Sequence, residues 1–182
     1  MSTMISEHAK QGLDLIFTRA ARACLAAEAS DSVVISPLRA AQTGEAPQEH
    51  ILVLTIASYV FRLLILFHLD KDERTEAYFT RGNPDQTLDG VIGEVGNLCC
   101  GAINRDLGQH FLHTGMSTPA LLKKQCLPHL PELNPTYVSR HEIVINNAVR
   151  MQATLCFCAY APIDFRVDAS VAQEVSGELE LF

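Results

Sequence analysis

The sequence predicts an α+β fold in which a largely antiparallel β-sheet packs against helices. Apolar residues recur at helical spacing near the amino terminus, so residues 4–28 are expected to form a helix. The apolar segment 51–69 alternates in its second half, which is typical of a strand. Two more strand patterns, at residues 140–146 and 151–160, flank Asn146-Asn147, a pair that tolerates the positive φ of a tight turn. This succession of helices and strands suits an α+β protein.

Length and charge limit the classes of function. A chain of 182 residues suits one domain, so residues 1–182 are predicted to form a single soluble unit with a substantial core. The formal net charge of -7 and the absence of tryptophan argue against a surface that binds nucleic acid or anionic lipid. A protein partner or a small solute is the better expectation.

The apolar segment 51–69 is long enough to be tested as a membrane span. It contains Arg62, and an arginine at the centre of a bilayer costs about 2.5 kcal/mol or more. Two buried strands, at about residues 50–58 and 59–69, therefore fit better than a span. One face of the second strand is predicted to carry Tyr59, Phe61, Leu63, Ile65, Phe67 and Leu69.

The amino-terminal segment and the cysteines favour the cytoplasm. The first thirty residues mix charged and apolar side chains and lack the basic-then-apolar layout of a secretory signal. The six cysteines are then expected to be thiols in a reducing compartment, with Cys156 and Cys158 on one face of a strand. No CxxC pair is present, and His110-x-x-His113 lacks an evident third ligand, so no metal site is predicted.

The middle of the chain predicts two helices followed by an irregular region. Asp70-Lys-Asp-Glu73 begins a short helix with acids at its cap and first turn, and Gly82-Asn-Pro84 ends it. A longer helix is predicted at about residues 84–105, and residues 109–136, rich in proline, are predicted to be irregular. The apolar side of the longer helix is expected to carry Leu88, Val91, Ile92, Val95, Leu98, Cys99 and Ile103.

A carboxylate and a carboxamide are spaced three residues apart in the longer helix. Residues at i and i+3 share a face of a helix, so Glu94 and Asn97 are expected to project side by side. An amide can orient a water molecule, and an acid beside it can bind a cation of a partner. Glycines are frequent in this helix, at positions 90, 93, 96 and 101, and glycines there allow another helix or a partner to approach closely.

Around Glu94-Val-Gly-Asn97 the sequence resembles the CheC/CheX/FliY family of chemotaxis phosphatases. That family carries an acid–x–x–Asn pair on a helix, within a phrase like xExxNxxxG and with a proline further on. Here Gly101 and Pro119 take those positions. The order of a hairpin, a short acidic helix and the motif helix is also similar, and the resemblance spans roughly residues 5–165. One motif rather than two is typical of a CheX-like member.

The resemblance implies a function, a partner and roles for the pair. The substrate would be the aspartyl-phosphate of a CheY-like response regulator, with Asn97 orienting the attacking water and Glu94 binding the regulator's lysine. Glu94 and Asn97 would thus be the catalytic residues. The Mg²⁺ would belong to the regulator, so this chain would need no cofactor. The family habit also implies a homodimer.

One departure leaves alternatives open. The family usually places Asp or Ser four residues before the glutamate, where this chain has Gly90, and Asp89 lies one residue too early. A non-catalytic member that binds a receiver or a flagellar or signalling protein is therefore the second hypothesis. A third is a small-molecule-binding α+β domain unrelated to chemotaxis, with the apolar hairpin as a pocket wall.

Overall fold

One seven-stranded antiparallel sheet organises the residues that the structure describes, 4–38 and 48–168 of this computed structural model. The elements are α1 (Glu7–Leu25), β1 (Val33–Pro37), β2 (His50–Ala57), β3 (Phe61–Leu69), α2 (Glu73–Thr80), α3 (Leu88–Gly108), β4 (Gly115–Met116), β5 (Ala120–Lys123), a 3-10 helix (Lys124–Leu133), β6 (Tyr137–Ile145) and β7 (Val149–Ala159). The strands follow the spatial order β1-β6-β7-β3-β2-β4, and β5 also pairs with β2. The predicted α+β fold with a largely antiparallel sheet is confirmed.

The predicted apolar hairpin is confirmed as β2 and β3, paired from His50 with Leu69 to Ala57 with Arg62. Alternation places one face of β3 in the main core, which α1 and α3 cover. Tyr59 was wrongly assigned to that face: it is 84% exposed, because the turn closes between the backbone of Ser58 and Phe61. The buried residues of this face are Phe61, Leu63, Ile65, Phe67 and Leu69.

Capping side chains decide where the helices begin. Ser6 accepts a hydrogen bond from the Ala9 amide and starts α1, so the helix is shorter at both ends than the predicted 4–28. Asp72 caps α2 in the same way, which confirms the predicted acidic start. Thr87 caps α3 through the Gly90 amide, so the helix begins at Leu88, four residues after the predicted start at 84. The helix continues to Gly108, beyond the predicted end at 105.

The region predicted as irregular, residues 109–136, contains short elements. β4 and β5 are too short to show a period, but both pair with β2 at an edge of the sheet. The 3-10 helix, which includes Pro128 and Pro131, covers part of the sheet face opposite α1 and α3. It packs there over Ile51, Leu66 and Cys156. The prediction was wrong here because four-residue strands and proline-containing 3-10 turns lack the periodicity that sequence patterns rely on.

The second predicted hairpin is β6 and β7. Asn146 and Asn147 form its turn with φ of 51° and 55°, as their tolerance of positive φ suggested. Cys156 and Cys158 lie two residues apart on β7 and are both buried, as predicted. The small and polar composition of residues 40–49 predicts a loop, and of this segment only residues 48 and 49 fall within the described ranges. None of the helices in those ranges is long and apolar enough to cross a membrane.

Candidate functional site

The orientation of α3 decides which of its residues are available to a partner. A Cβ built on Gly96 would lie 2.4 Å from Cδ2 of Leu52, so this residue marks the line along which the helix presses on β2. Successive residues turn by about 100°. Glu94 and Asn97 accordingly lie away from the sheet, and both are exposed. Both residues lie in a helix, as predicted, and both are exposed, whereas the chemical roles of the two residues stay predictions.

The glycines of α3 divide into two kinds. Gly96 permits close packing of the helix on the sheet, since an added methyl group would overlap Leu52. Gly93 has no heavy atom within 4 Å of the position that a Cβ would occupy, and Gly101 has only the Met116 sulfur at 4.0 Å. Packing on the sheet therefore explains Gly96 but not Gly93 and Gly101, where an added side chain would meet almost nothing.

The first turn of α3 lacks the side-chain oxygen expected at position 90. A Cβ on Gly90 would meet only the Thr87 hydroxyl, at 3.2 Å. The neighbouring carboxylate does not replace it, because Asp89 pairs with Lys71, whose Nζ lies 2.6 Å from its Oδ1. The departure seen in the sequence is thus also a structural one.

Leu98 was wrongly assigned to the apolar side of α3. Two steps along the helix carry it about 200° from Gly96, and its side chain is 66% exposed. It therefore lies beside Asn97 on the outer surface. An isolated exposed leucine is common on protein surfaces, but this one adds apolar area next to the polar pair.

The histidines singled out in the sequence have structural surroundings. The ring of His110 lies 4.8 Å from that of Phe165, and the ring of His113 lies 5.9 Å from that of Tyr59. Within residues 4–38 and 48–168, no three His, Cys, Asp or Glu side chains are grouped so that they could hold a metal ion. His68 is buried with Nε2 2.9 Å from the Thr154 hydroxyl, and burial lowers its pKa to about 4.

A hydrogen-bonded cluster that sequence reasoning missed joins α1 to β6. The Asp14 carboxylate accepts hydrogen bonds from the hydroxyls of Tyr137 at 2.6 Å and Ser139 at 2.7 Å. His141 Nε2 lies 3.4 Å from the same carboxylate. Burial alone would raise the pKa of Asp14, but these contacts outweigh burial and lower it. Ser139 Oγ also lies 3.3 Å from His141 Nε2, but that same nitrogen faces the Asp14 carboxylate. The three side chains are therefore not arranged as a nucleophile, a base and a separate group that orients the base, and the cluster is a structural clamp.

The architecture defines a class of fold: the chain has the fold of the CheX and CheC-like chemotaxis proteins. No protein-family model matches the sequence, and no curated protein matches it. The likeness is therefore structural, at identities too low to show more than the fold.

Three solved structures illustrate this likeness. CheX from Vibrio vulnificus has a TM-score of 0.55 at 14% identity, over 78% of this chain and 96% of that one. CheX from Borrelia burgdorferi, solved in a complex with CheY, BeF3 and Mg²⁺, has a TM-score of 0.57 at 12% identity, over 82% and 97%. A CheC-like superfamily protein from a Shewanella species has a TM-score of 0.50 at 7% identity, over 84% and 98%.

Proposed function

We propose that this protein is a CheX-like phosphatase that hydrolyses the aspartyl-phosphate of a CheY-like response regulator. The observation that carries the proposal is the exposed pair Glu94 and Asn97 on α3 of a CheX-like fold. The Borrelia burgdorferi relative was solved bound to CheY, which supports a receiver as the partner. Association as a homodimer and a cytoplasmic location belong to the same proposal.

The proposed hydrolysis depends on positioning the attacking water more than on covalent catalysis. Hydrolysis of a phosphoryl group passes through a loose transition state, so holding water in line with the breaking P–O bond supplies much of the acceleration. The Asn97 amide can donate to and accept from such a water, but it does not titrate and is not a general base. Glu94 would bind the receiver's lysine and fix the docking. The receiver would supply the Mg²⁺, and this chain would need no cofactor of its own.

The direct test follows the phosphoryl group on a purified receiver. Addition of the wild-type protein should shorten its lifetime, and Asn97→Ala should remove this effect while the circular dichroism spectrum and the unfolding midpoint stay unchanged. Gln109→Ala serves as the matched control, since it removes another exposed amide just beyond the end of the same helix. If wild type leaves the lifetime of every receiver from the same organism unchanged, the enzyme proposal is wrong.

A second candidate is a non-catalytic module of the same fold that binds a receiver or another signalling protein. It is favoured by Gly90 and by the ion pair that holds Asp89 on Lys71, since no carboxylate or hydroxyl occupies position 90. Binding of a phosphorylated receiver without any change in phosphate lifetime would select this candidate. The third hypothesis, a pocket walled by the apolar hairpin, is not supported, because α1 and α3 cover that face of the hairpin.

A further inference from the structure

Strand β5 presents a lysine on the same side of the sheet as α3. In an antiparallel sheet, paired residues point to the same face. Lys123 pairs with His50, and Leu121 pairs with Leu52. Leu52 lies under Gly96 of α3, and His50 is two residues away from Leu52 on the same strand. Lys123 and Leu121 therefore belong to the α3 face of β5.

The position of Lys123 along the axis of α3 follows from the rise per residue of β2 and of α3. His50 precedes Leu52 by about 6.6 Å along its strand. The same distance along α3 corresponds to about four residues. Four residues before Gly96 lies the turn between Gly90 and Gly93. The ion pair of Lys71 with Asp89 confirms this direction, since Lys71 follows the residue paired with His50 by two. Lys123 thus lies level with the open first turns of α3, one turn before the Glu94–Asn97 pair.

Lys123 is exposed and has no ion-pair partner among residues 4–38 and 48–168. The next residue, Lys124, differs from Lys123 in its ion pairing and in the side of the chain on which it lies. Lys124 belongs to the opposite side of the chain, and its Nζ lies 3.2 Å from the Glu49 carboxylate. Lys123 also helps to lower the pKa of Glu49, after the larger effect of Lys124. Of the two lysines, however, only Lys123 makes no ion pair and belongs to the α3 face of the sheet.

We propose that Lys123 is a third contact residue of this site and binds a carboxylate on the surface of the docked receiver, away from the reacting phosphoryl group. The inference rests on the proposed function. Glu94 and Lys123 would then present an acid and a base to a partner that carries a cation and a carboxylate. Such charge complementarity fixes orientation and speeds association more than it adds affinity. Lys123 is a positioning residue, because the water is oriented by Asn97.

The test compares Lys123→Gln with Lys124→Gln against the same CheY-like receiver loaded with BeF3⁻ and Mg²⁺. An exposed charged contact is worth little, so Lys123→Gln should weaken binding about three- to fivefold and flatten its dependence on salt. Lys124→Gln should bind as wild type does, and Lys123→Arg should restore most of the affinity. With the phosphorylated receiver, Lys123→Gln should raise the concentration for half-maximal rate and leave the maximal rate unchanged.

The failures of the two proposals can be told apart. A wild type that binds no receiver refutes the proposed function and this inference with it. A wild type that binds, combined with equal affinity of Lys123→Gln and wild type, refutes only the inference. Equal losses in Lys123→Gln and Lys124→Gln would also overturn it, since they would reflect net charge and not a contact.

Discussion

Replacing Gly96 by alanine would place a methyl group where the side chain of Leu52 now lies. The Cβ would come within 2.4 Å of one Leu52 methyl group and 3.3 Å of a Leu54 methyl group. Leu52 is itself only 2% exposed, so its side chain has little room to rotate away. Either α3 must lift from β2 or the core must repack around the new group.

The magnitude follows from a comparison with Gly93→Ala. Both changes replace glycine by alanine in the same helix, and each should gain about 1 kcal/mol in helix propensity. Gly93 has nothing within 4 Å, so its variant keeps that gain. Overpacking of a core costs about 1–3 kcal/mol, and only Gly96→Ala incurs it. The two variants should therefore differ by about 1–3 kcal/mol in the free energy of unfolding, with Gly96→Ala the less stable.

Urea unfolding followed by circular dichroism measures this difference directly. Equal midpoints for the two variants at equal slopes would refute the packing of α3 on β2 through Gly96. Because α3 carries the Glu94–Asn97 pair, such a result would also contradict the orientation of this pair on the side of α3 away from the sheet.

Three further changes have definite outcomes. Burial lowers the pKa of His68 to about 4, against 6.5 for the free side chain. The folded protein therefore keeps its full stability above pH 6.5, where His68 is neutral in both states, and loses up to about 3 kcal/mol as the pH falls towards 4. His68→Gln should show a smaller drop in the urea unfolding midpoint between pH 6.5 and 4 than wild type. Thr87→Ala should lose about 1 kcal/mol through the cap of α3, whereas Thr87→Ser should retain it, as measured by thermal unfolding. Tyr137→Phe removes a donor to the Asp14 carboxylate and should cost about 1–2 kcal/mol in urea unfolding, while Tyr160→Phe, at a position 57% exposed, should cost little.

The strands and helices that sequence predicted best are those with a strong period and a clear stop. Alternation along Phe61, Leu63 and Ile65 predicted a buried strand face, and the Asn146-Asn147 pair predicted the second hairpin turn. Boundaries were less certain, because a cap can move them. For α3, the start was predicted at about residue 84, but the hydroxyl of Thr87 caps the helix and sets its start at Leu88.

The positions of Glu94 and Asn97 were predictable because they depend on the period of a helix. Helical spacing sufficed to place Glu94 and Asn97 on one side, since i and i+3 neighbours depend on local geometry alone. Leu98 was misassigned because an apolar residue next to a buried face can still lie outside it. Lys123 could not be linked to the pair from sequence, since its position depends on β5 pairing with β2, about seventy residues earlier in the chain.

The lifetime of the phosphoryl group on a CheY-like receiver, with substoichiometric wild-type protein or Asn97→Ala, tests the central claim most directly. The exposed pair on α3 predicts that wild type shortens this lifetime with turnover and that Asn97→Ala binds the receiver but leaves the lifetime unchanged. Loss of phosphate at the same rate with Asn97→Ala as with wild type would contradict the role of the pair.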